Sequence, residues 1–204
     1  VPDLIERGDR IILTGREGKG KSTLLRQIGF KLSIAQHPFL DSSIASRPTC
    51  AYLDLENSRP QVRRAMKHMH KLSSRPSNLW WDIRPEGLDI LHEDLIPELD
   101  IIKPDLILIG PMYKLARQLS REEISDAVAH TLDKWRARYH CAIIMESHQP
   151  HELLSVEGRY RPERPYGSSL WMRWPEFGLC LEDSGLLRPW RGGRDVREWP
   201  EKLR

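Results

Sequence analysis

Short, unbroken apolar runs alternate along this chain with longer stretches in which apolar residues recur every three or four positions. The first pattern marks strands buried on both faces, the second amphipathic helices. Arg10-Ile11-Ile12-Leu13-Thr14 is the first such run, and Leu24, Leu25, Ile28, Leu32 and Ala35 after it keep helical spacing. From His37 to Pro48 the chain is polar and proline-flanked, which predicts a mobile surface loop. Thr49 to Leu55 predicts a second strand with Asp54 and Glu56 at its carboxyl end. Alternation puts Tyr52, Asp54 and Glu56 on one side and Leu53 and Leu55 on the other. Arg59 to Leu72 predicts a helix with Val62, Ala65, Met66, Met69 and Leu72 on one face and basic residues on the other. Leu79 to Ile83 predicts an edge strand, and Leu88 to Ile102 a helix that Pro97 bends or splits.

Asp105 to Ile109 is the most apolar strand and is expected to be central, running into Gly110-Pro111. Arg121 to Tyr139 predicts an amphipathic helix with Ser120 as N-cap, Glu122 and Glu123 in the first turn and a stripe of Ile124, Val128, Leu132 and Trp135. Cys141 to Met145 predicts another central strand, ending in Glu146-Ser147-His148-Gln149. Pro150 to Pro165 reads as a long polar loop, and loops of that length in compact domains are usually functional or disordered. A short helix from Tyr166 through Trp174 and a strand from Phe177 to Leu181 follow. A hairpin across Asp183-Ser184-Gly185 then carries Leu186 to Trp190 and leaves Arg191-Gly192-Gly193-Arg194 on an exposed turn. This order indicates an α/β fold with a central, mostly parallel sheet, flanking helices, right-handed crossovers and a C-terminal β-hairpin. Its 204 residues suit a single domain over 1–204. The first strand begins almost at once, which suggests a piece of a longer polypeptide.

Composition narrows the classes. No apolar run approaches the length of a membrane span and no leader is visible at Val1, so no membrane partner is expected. Cys50, Cys141 and Cys180 sit in strand-like runs without C-x-x-C spacing, which reads as buried thiols in a reducing cytoplasm. The net charge is +3, and residues 1–158 are balanced, so the excess lies between Arg159 and Arg204 and is mostly arginine, the residue suited to phosphates. The tryptophans from Trp171 to Trp199 read as packing rather than base-stacking residues.

The strongest chemical signal is Gly15-Arg16-Glu17-Gly18-Lys19-Gly20-Lys21-Ser22, which fits G-x-x-x-x-G-K-[ST]. Its glycines allow successive N–H groups to turn inward on the phosphates of a nucleotide. Lys21 adds a positive charge, Ser22 offers a hydroxyl to Mg²⁺, and the helix that follows presents its positive end. Gly15, Glu17, Gly18, Lys19, Gly20, Lys21, Ser22 and Thr23 are therefore the candidate ATP-binding residues. Asp54 and Glu56 face the same end of the sheet, where ligands collect in open α/β folds. His148 at the strand end is a candidate sensor of the terminal phosphate, or a hydrogen-bonded structural histidine.

Together, Gly15 to Ser22, Tyr52-Leu53-Asp54-Leu55-Glu56, the strand ending at Gly110-Pro111, Ser147-His148 and the basic terminal hairpin resemble the RecA-like P-loop ATPase core. The resemblance is nearest to the hexameric helicase branch that includes DnaB and plasmid RepA helicases. It implies that Glu56 orients and deprotonates the attacking water, and that Arg191 and Arg194 act as fingers in a neighbour's nucleotide site. It further implies a ring, hexameric by analogy, on single-stranded DNA, with Lys114, Arg117, Arg159 and Arg161 as weak nucleic-acid contacts. The chain departs from the family where Gly110 stands in place of the usual metal-binding aspartate. That leaves Mg²⁺ to Ser22, phosphates and water, with Asp54 as an outer partner; Asp105 lies at the wrong end of its strand. Besides a helicase motor, a nucleotide-gated DNA-binding or loader protein with weak hydrolysis fits Gly110. A small-molecule kinase with Pro150 to Pro165 as an arginine-bearing lid is a third reading.

Overall fold

The computed structural model describes residues 4–70, 76–150, 153–155, 158–160, 162–192, 197 and 199–200. Seven strands form one sheet in the order β3-β2-β4-β5-β1-β8-β9. They are β1 (Arg10–Gly15), β2 (Cys50–Asp54), β3 (Leu79–Ile83), β4 (Leu106–Gly110), β5 (Ala142–His148), β8 (Phe177–Leu181) and β9 (Leu187–Arg191). All pairings are parallel except that of β9 with β8.

Alternation along the strands builds two cores. Ile11, Leu13, Tyr52, Leu108 and Ile144 face Leu25, Ile28 and Leu32 of α1 (Lys21–Ser33) and Val62 and Met66 of α2 (Arg59–His70). Ile12, Leu53, Ile107, Ile109, Ile143 and Met145 face Leu99 of α3 (Ile96–Ile102), Val128, Leu132 and Trp135 of α4 (Glu122–Tyr139) and Trp171 of α5 (Leu170–Arg173). Tyr52 and Leu53 thus fall on opposite sides, as their alternation requires, and β3 lies at the sheet edge. Trp171 and Trp174 are buried, their indole N–H groups donating to Ser125 Oγ at 3.0 Å and Asp133 Oδ2 at 3.2 Å. The three cysteines are buried and free, and burial pushes the Cys50 and Cys141 thiols up to about 12. None of the described helices is long and apolar enough to cross a membrane.

Four expectations need correction. Residues 88–95 are not helical: Leu88 and Ile90 donate their N–H groups to Lys114 O and Leu115 O at 3.0 Å each, so this stretch is stitched to another segment. Pro97 accordingly sits in the first turn of α3, where its missing N–H costs no helical bond. Ser120 does not cap α4, whose N-cap is Arg121 with no side-chain bond. The stretch Pro150 to Pro165 is not all loop; it holds an antiparallel pair, β6 (Leu153–Ser155) and β7 (Gly158–Tyr160). Arg191 ends β9 rather than lying on the turn after it. Along that edge strand, Pro189 is set against Leu179, and the exposed Arg188 has its guanidinium 2.7 Å from Glu182.

Candidate functional site

The carboxyl end of β1 and the start of α1 carry the candidate nucleotide site. A side chain at Gly15 would meet Leu181 O at 2.8 Å, and Gly20 turns left-handed with φ 94° to start α1. Both positions need glycine for the chain to leave the sheet this tightly. The Lys21 ammonium is buried and donates to Gly15 O at 3.0 Å and Arg16 O at 2.8 Å. The loop thus holds its own lysine where phosphate oxygens are the natural competitors. Lys19 and Arg16 reach Asp183 of the β8–β9 turn at 3.3 and 3.5 Å, while Glu17, Gly18's neighbour, and Thr23 are exposed.

His148, last in β5, joins this loop to other elements. Its Nδ1 lies 3.5 Å from Lys21 Nζ and 3.6 Å from Glu17 Oε1, and its ring is 5.5 Å from that of Tyr113. Tyr113, in the 3-10 turn Met112–Lys114 after β4, places its hydroxyl 3.5 Å from Glu56 Oε1. Glu56 is exposed at the end of β2. A cavity of about 350 Å³ opens between Glu17, Tyr113, His148 and Tyr166.

Asp54 is engaged elsewhere than the sequence expectation of an outer metal partner required. It is fully buried, pairs with Arg26 of α1 at 2.9 Å, and accepts from Asn57 N at 2.9 Å and Asn57 Nδ2 at 3.0 Å. Arg26 stands one helical turn after Ser22 and was not singled out from sequence, although its i+4 place on that face is a usable signal. Asp105 accepts from Thr49 N at 2.8 Å at the far end of β4.

The Ser22 hydroxyl donates to Glu146 Oε1 at 3.0 Å. Burial pushes the Glu146 carboxyl up to about 7, opposed by the Ser22 bond and the Lys21 charge and assisted by Glu56 and Asp54. The folded protein therefore keeps a proton that the unfolded chain gives up near 4.5. The contribution of Glu146 to the stability of the nucleotide-free protein in chelator is expected to be present in full below that lower value and to be lost, by about 3 kcal/mol, as pH rises from it through the upper one. Glu146→Gln should flatten this part of the curve in denaturant melts, and an unchanged slope would contradict it.

Among the described residues no group of three His, Cys, Asp or Glu side chains could hold a metal unaided. The Ser22 hydroxyl and nearby carboxylates are hard oxygen donors, which suits Mg²⁺ that brings phosphate and water ligands with it.

The other predicted residues are dispersed. Lys114 Nζ donates to Pro85 O at 2.6 Å, and Arg117 is exposed. Arg159 is placed on β7, but its side chain, Arg161 and Arg194 lie outside the described residues. Arg191 donates to Met172 O at 3.0 Å and to Pro175 O, at the end of β9 away from Leu181 and Gly15.

A family model described as an AAA domain matches residues 1–152. Among solved structures, the KaiC-like protein PH0186 from the hyperthermophilic archaeon Pyrococcus horikoshii OT3 is similar, with a TM-score of 0.63 and 15% identity over 97% of this chain and 84% of that one. At that identity the likeness concerns the fold. No curated protein sequence matches the chain.

Proposed function

The chain belongs to the AAA domain family, and from that premise we propose that it is the ATP-hydrolysing motor of an oligomeric ring that moves on single-stranded DNA. It has the P-loop ATPase fold, and the parts of its site divide the work of phosphoryl transfer. Lys21 and the N–H groups opening α1 bind the β and γ phosphates. Ser22 offers its oxygen to Mg²⁺, which when bound neutralises charge on those phosphates. Glu56 takes the proton of the attacking water, its exposed carboxylate fixed at the root by the Asp54-braced turn. His148 carries this reading. It lies 3.5 Å from Lys21 Nζ, and from it the chain runs into the segment bearing β6 and β7. A change at the terminal phosphate is thereby passed to a segment that we place, with Lys114 and Arg117, on the DNA. A finger role for Arg191 in a neighbouring subunit requires its guanidinium to leave the carbonyls of Met172 and Pro175.

The test is steady-state ATP hydrolysis with Mg²⁺, with and without single-stranded DNA, at several protein concentrations and with Lys21→Ala as blank. Turnover should rise with DNA and more than proportionally with protein. A protein that binds nucleotide but never turns it over would instead be a nucleotide-gated binding protein. Gly110 and the commitment of Asp54 to Arg26 favour that second reading.

A further inference from the structure

We propose that Glu146 of β5 is the metal-side carboxylate that β4 lacks, folded into the space that Gly110 leaves open. The inference rests on the nucleotide-binding part of the reading above and is independent of DNA or ring formation.

The two positions are complementary. Strand β4 runs beside β5 in parallel, with Ile109 set against Met145, so Gly110 and Glu146 are the next residues on adjacent strands. A Cβ at Gly110 would lie 2.7 Å from both Glu146 Cγ and Cδ and 3.1 Å from Oε1. An aspartate on β4 and the present Glu146 side chain therefore claim the same volume. Glutamate has one more methylene than aspartate, which suits a carboxylate arriving from the neighbouring strand.

The carboxylate also has an unfilled valence. Glu146 is 1% exposed, its Oε1 accepts from Ser22, and its Oε2 is buried with no hydrogen-bond partner among the described residues. Buried polar atoms are seldom left so without a function to explain it. Ser22 is the residue whose hydroxyl the P-loop motif directs at Mg²⁺. The other acids are placed for other work: Asp54 is committed to Arg26 and Asn57, Asp105 lies at the far end of β4, and Glu56, beside Tyr113, is the residue assigned above to the attacking water.

The experiment is equilibrium binding of a fluorescent ADP analogue, in EDTA and in Mg²⁺, read as the fold by which Mg²⁺ tightens binding. Glu146→Gln keeps shape and an acceptor for Ser22. It should remove at least about tenfold of that enhancement and leave the affinity in EDTA within about twofold. Gly110→Asp alone should bind poorly, since two carboxylates cannot share one space. Gly110→Asp with Glu146→Ala should recover the enhancement by restoring an acid from β4. Full Mg²⁺ enhancement in Glu146→Gln would overturn the inference and leave the nucleotide site standing. Failure of the unmodified protein to bind the analogue at all would overturn both. Should the double variant not fold, Glu146→Gln decides alone.

Discussion

Glu56→Gln is expected to lower kcat for ATP by about 10²–10⁴-fold, the usual worth of a positioned general base, with nucleotide affinity nearly unchanged. The geometry predicts this separation. Glu56 is exposed just beyond the end of β2, and its Oε1 accepts from the Tyr113 hydroxyl at 3.5 Å. Among the described residues the hydrogen bonds of Glu56 go to Asp54 and Tyr113 rather than to the P-loop, so exchanging its carboxylate for an amide leaves the phosphate cradle intact. An amide still orients water but does not take its proton. The check pairs steady-state turnover with direct nucleotide binding on the same preparation. Turnover within a few-fold of the parent protein would remove Glu56 from the chemistry, and loss of binding would mean a structural role.

Arg26→Met is expected to destabilise the protein by about 3–5 kcal/mol, because it strands a buried carboxylate without its cation. The Arg26 and Asp54 side chains are 7% and 1% exposed, so water does little to make good the loss. Met keeps most of the stem volume, so the penalty reports charge rather than packing. For a chain of this size the shift in Tm should be roughly 10 °C. Adding Asp54→Asn should recover part of it, since an amide oxygen can still accept from Asn57 N while the stranded charge is gone. Thermal and denaturant melts of the two variants measure both. A loss under about 1 kcal/mol in Arg26→Met would show that the pair is not what holds the β2–α2 turn.

Much of this architecture is legible along the chain because its determinants are local. Apolar runs such as Ile11 to Leu13 and Ile107 to Ile109 are long enough to mark buried strands, and the turn at Gly15 to Ser22 is written in one contiguous motif. Residues 88–95 mislead for the same reason. Leu88, Leu91 and Leu95 imitate helical spacing, but the N–H groups of Leu88 and Ile90 go to Lys114 and Leu115, which no local pattern records. The site was legible where its residues are consecutive and opaque where strands meet. Glu146 belongs to a polar strand end from which its neighbour His148 draws the eye. Only the register of β4 against β5 shows that Glu146 and Gly110 fill one space between them. Likewise Arg26 gives no hint of Asp54 until α1 is laid on β2.

The outer strand β9 also limits how copies of this chain can meet. A free strand edge offers a template on which another chain can add, the route to runaway stacking and fibres. Here Pro189 has no N–H to offer, and Arg188 is charged and exposed. Extension of the sheet at β9 is therefore blocked by chemistry already in the strand. Copies brought together on this side must join through side-chain faces, an arrangement that can come apart again without pulling a sheet open.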